Sequence, residues 1–137
     1  MVVDNALHFL YVLHLQQVGV FTLNNIRMKT FKPTNEMQST AFTTTVRASY
    51  KQLEKIFGFP NSYGDDFKVS TEWILKSSDG KIVSLYDYKE TNLYDRNYPT
   101  VEEFREKPYY DWHIGSKGII EAEELKAFII HELTVTE

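Results

Sequence analysis

Two β-type runs, residues 67–77 and 81–89, are separated only by Ser78-Asp79-Gly80, and this limits the fold more than any other feature of the chain. Strand formers on both sides of an Asp-Gly turn specify a β-hairpin, because glycine takes the positive φ that a tight return needs. Two registers are open. A two-residue loop sets Trp73 opposite Tyr86, a good aromatic pair, but also Glu72 opposite Asp87, and like charges directly opposite repel. A three-residue loop with Gly80 left-handed aligns Trp73 with Leu85 and Leu75 with Val83. The second gives the cleaner apolar face and is the register expected.

The clearest helix start lies upstream. Ser49 can accept from the backbone N–H three residues on while Gln52 reaches back, a capping box. Leu53, Ile56 and Phe57 follow at helical spacing, and Gly58 and Pro60 stop the helix. The pattern predicts a helix over 50–57. Residues 40–48, rich in Thr and Val with Phe42, predict a strand, whereas 29–39 are polar with one proline and suggest an irregular lead-in. Residues 91–109 form a long connection, with 101–106 able to make one helical turn; long connections within a compact domain are disproportionately functional. Tyr110 to Ile114 alternates as a last short strand. A final helix is expected over 119–133, with Leu125, Phe128, Ile129 and Leu133 inward and Glu121, Glu123, Glu124 and Lys126 facing water. The fold class is therefore α+β: a small antiparallel sheet of three or four strands with two helices packed on one face.

The chain has 137 residues, enough for one domain with a real core. Residues 1–27 differ in character from the remainder. The apolar run Ala6 to Leu15 is shorter than the roughly 20 residues a spanning helix needs, and the flanks of a signal peptide are missing. Met28-Lys29-Thr30-Phe31 resembles a natural start, so 1–27 is taken as an N-terminal extension or poorly packed arm, and 28–137 as the single domain. The structured alternative is a short helix capped by Asp4 and running through Leu15.

Fifteen basic residues, scattered through a chain of net charge −4, argue against a nucleic-acid partner held by its phosphates. The absence of cysteine excludes disulfides, thiolate catalysis and Cys-ligated zinc, and fits a reducing compartment. His8 and His14 are six apart and no His-x-x-x-His spacing occurs, so neither a metal nor a cofactor is expected. Glycine-rich phosphate loops and nucleophile elbows are absent. Aromatic residues make up 15% of the chain, with nine Tyr, and a tyrosine surplus suits either a small core or a binding face.

An ordered series of motifs runs from Ser49 to Gly115: Tyr50-Lys51-Gln52-Leu53, Phe57-Gly58-Phe59-Pro60, Lys68-Val69 with Glu72-Trp73, Asp79-Gly80, Tyr86-Asp87-Tyr88-Lys89 and Trp112-His113-Ile114-Gly115. The series covers about half the chain and resembles a family of small, mostly uncharacterised accessory proteins of tailed phages. Members usually continue the last motif with a second glycine where this chain has Ser116. The resemblance implies a viral origin and a place in the bacterial host cytoplasm, and it implies no activity.

The candidate binding residues are Tyr86, Asp87, Tyr88, Lys89, Trp112 and His113. Their rings can stack on a base or on a partner's apolar group, while Lys89 and His113 supply charge-assisted bonds. Each has a plainer reading, as strand-end polarity or as a structural hydrogen bond at a sheet edge. On a strand Trp112 and Ile114 point one way, and Asp111 and His113 the other. Carboxylate pairs such as Glu72 with Asp87, or Asp65 with Asp66, are weak signals among nineteen acidic residues. The expected function is non-enzymatic binding of a host protein or small signalling ligand, with anti-defence as one use. The alternatives are a homo-oligomeric assembly protein, through pairing of the 40–48 strand with its twin, and a metal-dependent hydrolase.

Overall fold

The computed structural model describes residues 28–135. The expectations for 1–27 fall outside the described residues. In chain order the elements are β1 (Phe31–Pro33), β2 (Ala41–Ala48), α1 (Tyr50–Phe57), β3 (Glu72–Ser77), β4 (Ile82–Tyr86), α2 (Val101–Arg105), β5 (Tyr110–Ser116) and α3 (Ile119–Val135). The strands form one antiparallel sheet in the order β1-β3-β4-β5-β2. The class is α+β, with five strands rather than three or four.

The hairpin has the three-residue loop. Trp73 pairs with Leu85 and Leu75 with Val83, Gly80 sits at φ +92°, and the Ser77 N–H donates to the Lys81 carbonyl at 2.8 Å. Burial of the apolar row thus outweighs the Trp73–Tyr86 pairing, and Glu72 lies opposite Tyr86 instead of Asp87. The capping box of α1 is complete: the Ser49 hydroxyl accepts from the Gln52 N–H at 3.0 Å, and Gln52 Oε1 accepts from the Ser49 N–H at 2.9 Å. Gly58 ends the helix at φ +82°, ψ −166°. The extended ψ leads the chain straight out of the helix instead of winding it left-handed. A second capping box, Thr100 with Glu103, starts the single turn of α2.

The added strand is β1, drawn from the stretch expected to be irregular. Its anchor is Phe31, the one buried large apolar side chain of that stretch, with its ring 5.8 Å from that of Phe128. Because β1 and β2 follow one another in the chain but lie at opposite edges, residues 34–40 must cross the sheet. They cross the face away from the helices, where Glu36 meets Lys76 and the Thr40 and Ser84 hydroxyls lie 3.1 Å apart. The opposite face carries the core: Trp73, Leu75, Val83, Leu85, Trp112 and Ile114 from the strands, against Leu53 and Phe57 of α1 and Leu125, Phe128 and Ile129 of α3.

Two further expectations are corrected. β5 continues to Ser116, whose buried hydroxyl donates to the Gly118 carbonyl at 2.7 Å and so holds the turn that follows. Glu124 is 7% exposed instead of facing water. α3 buries Ala122 and Ala127 as well as its apolar stripe, so its inward surface is wider than the stripe alone predicts. Among the described residues no helix is long and apolar enough to cross a membrane.

Candidate functional site

Strand alternation sends Glu72, Tyr86 and His113 to the helix-free face, and the register places them in one row across β3, β4 and β5. The His113 imidazole is the centre of a ring cluster. Phe42 lies at 5.0 Å, Tyr86 at 5.5 Å, Tyr88 at 5.8 Å and Tyr110 at 6.3 Å between centroids. Tyr110 organises one side: its hydroxyl donates to Glu90 Oε2 and accepts the Tyr88 N–H, each at 3.3 Å, and stands 3.5 Å from His113 Nδ1. Burial raises the Tyr110 phenol far above its ordinary value, so it stays protonated.

Burial lowers the His113 pKa from 6.5, opposed by the negative charge of Glu90 and Asp87. The ring is therefore neutral at neutral pH, an uncharged hydrogen-bonding group among aromatic faces. As the pH falls through 6.5 the unfolded chain takes up a proton that the folded chain resists, so stability is lost below that point. Imidazole NMR is expected to give a midpoint under 6.5. The acid-side loss of thermal stability is expected to shrink in His113→Phe; an equal loss in both proteins would show that His113 does not contribute to it.

Beside the cluster runs an open groove of about 300 Å³, between the crossing segment and the loop after α1, with Thr40, Asp65, Glu72, Ser84 and Tyr86 in its walls. Burial acts to raise the Asp65 pKa, but backbone N–H groups of Val69, Phe67 and Lys68 together outweigh it and hold the carboxyl below its ordinary value. Glu72 accepts from the Ser62 hydroxyl at 2.5 Å. Among the described residues no group of three His, Asp or Glu side chains is placed to hold a metal ion.

Of the six expected site residues, Tyr86, Tyr88 and His113 meet on this face, with Lys89 at its rim. Lys89 has φ +59°, unusual for a residue with a side chain. Its N–H donates to the Lys68 carbonyl at 2.7 Å. Its ammonium lies over the rings of Tyr88 (5.1 Å) and Tyr94 (5.3 Å). Backbone strain of this kind collects where a side chain must be aimed. Lys89→Gly is expected to raise stability by about 1 kcal/mol, by relieving the left-handed conformation, while removing the cation from the rim. Thermal unfolding measures it, and a loss of stability would mean that the ammonium–ring contacts outweigh the strain.

The other two residues are corrected. Trp112 is 1% exposed on the core side, its Nε1 donating to the Ala48 carbonyl at 2.9 Å. Asp87 is fully buried and accepts from the N–H groups of Ser70 and Thr71, each at 2.8 Å, and from the Ser70 hydroxyl. Neither can reach a ligand on the helix-free face. Phe42 and Tyr110 belong to the cluster and were not among the expected residues; the only sequence signal for Phe42 is a lone large ring in a run of threonines. Compared with known proteins, the sequence matches no family model and no curated protein.

Proposed function

We propose that the protein acts by non-enzymatic binding of a protein partner, through the His113-centred aromatic face, as a phage accessory protein in the host cytoplasm. The observation that carries this reading is the exposure of the rings around a neutral imidazole: Phe42 is 57% and Tyr88 37% exposed. Aromatic side chains with polar tips are the commonest anchors of protein interfaces, since they bury much area at low entropic cost. The adjoining groove, about 300 Å³ and open, is at the lower limit for enclosing a small molecule. That favours a protein surface over capture of a free signalling ligand. Phage origin, host location and any anti-defence use rest on the motif resemblance.

The test is quantitative capture from bacterial lysate with the wild type and with Phe42→Ala/Tyr88→Ala. Both rings are surface-exposed, so folding is expected to survive the change. The expected result is a protein enriched by the wild type and lost with the variant. Identical capture by the two proteins, or a co-purifying small molecule retained by both, would sink the reading.

A further inference from the structure

The geometry points to a second copy of this chain as the occupant of the outer edge of β2, the copies pairing antiparallel about a twofold axis at Thr45 so that their sheets join. The two edges of the sheet differ in kind. β1 is three residues long, contains Lys32 and ends in Pro33, and shortness, a lysine and a proline all discourage strand addition. β2 is eight residues long and, among the described residues, pairs only with β5. Such an edge offers a row of backbone donors and acceptors to another strand.

The one charged residue of β2 does not guard this edge. Arg47 is drawn back onto its own sheet, with Nε and Nη2 on the Asp111 carboxylate at 3.0 and 3.1 Å and its guanidinium 4.5 Å from the centre of the Tyr109 ring. The register irregularity between Phe42 and Thr44 leaves 44–48 in regular register.

Self-pairing at Thr45 is chemically matched. Directly opposed residues share a face, so Thr45 meets its twin and Thr44 meets Val46, with no like charges opposed. The antiparallel direction also carries the exposed Phe42 ring of each copy toward the end of β2 in the other, where Arg47 and the half-exposed Tyr109 stand. A ring meeting a cation and a second ring is a favourable contact, and the twofold makes it twice. Phe42 and Thr45 border His113 in each copy, so pairing brings the two aromatic faces side by side.

Light scattering on the full chain, from micromolar to millimolar concentration, is expected to reach twice the chain mass. Thr45→Lys opposes two ammonium groups at the axis and is expected to return the mass to one chain with unchanged circular dichroism. The chain has no cysteine, so Thr45→Cys gives a second readout that does not depend on how the lysine variant folds. Opposed Cα atoms in an antiparallel pair lie within disulfide range, and mild oxidation is expected to link two copies, while Thr34→Cys stays unlinked. A single-chain mass at every concentration, or a dimer whose Thr45→Cys form does not link, overturns the proposal. Phe42 belongs to both surfaces, so partner capture by the His113 face is read separately with Tyr88→Ala, which leaves the β2 edge unchanged.

Discussion

Trp112→Ala is expected to cost about 3–5 kcal/mol of stability, a large part of the roughly 5–15 kcal/mol that holds a domain folded. The ring is enclosed by three others, with Trp73 at 5.6 Å, Phe104 at 5.6 Å and Tyr110 at 5.2 Å, all edge-to-face. Removing it deletes those contacts and opens a cavity at the junction of β5, α2 and the core. Trp112→Phe refills most of the space but leaves the Ala48 carbonyl without its indole donor, a loss of about 1–3 kcal/mol. Urea unfolding of the three proteins measures both steps. The order wild type, then Phe, then Ala is the signature of a core residue. An alanine variant as stable as the wild type yet deficient in partner capture would instead return Trp112 to the binding site.

That experiment bears on what the sequence could reveal. Alternation along β5 already separates Trp112 from His113, and the apolar pairing of Trp73 with Leu85 selects the hairpin register, because both depend on neighbouring residues alone. The helix α1 is equally local, since Ser49 and Gln52 complete its capping box within one turn. What escaped depends on distant partners. Three residues make β1 a strand only because the edge of β3 and the Phe128 ring await them. Phe42 joins the site through the β2–β5 pairing, between segments some seventy positions apart. Glu124 was misplaced because α3 is apolar around much of its circumference, so periodicity does not tell which carboxylate turns inward. Asp87 follows Val83 and Leu85 in alternating away from Tyr86, but nothing in the sequence shows that the Ser70 and Thr71 donors, seventeen and sixteen positions away, are placed to satisfy a carboxylate turned inward.

Asp87 carries the second large effect. Its carboxylate ties the end of β4 to residues 70 and 71: Oδ1 accepts both backbone N–H bonds and Oδ2 the Ser70 hydroxyl, at 2.5 Å. Asp87→Ala strands the buried Thr71 N–H and the part-buried Ser70 N–H, and the expected loss is on the order of 3 kcal/mol. Asp87→Asn keeps the shape. The amide oxygen can accept the same two N–H bonds, and the amide nitrogen can donate to a reversed Ser70 hydroxyl, so the loss is expected to stay near ~1 kcal/mol. The pair also reports on charge. Burial raises the Asp87 pKa above 3.8, against the lowering effect of the Ser70 hydroxyl and the backbone donors. A raised folded-state pKa means that the folded chain binds the proton more readily than the unfolded one. The wild type should therefore gain stability relative to Asp87→Asn as the pH falls from the folded pKa toward 3.8. Denaturant midpoints for both proteins across the acid range give the slope. A difference that narrows toward acid would show that the hydrogen bonds, which favour the ionised carboxylate, outweigh the cost of burying it.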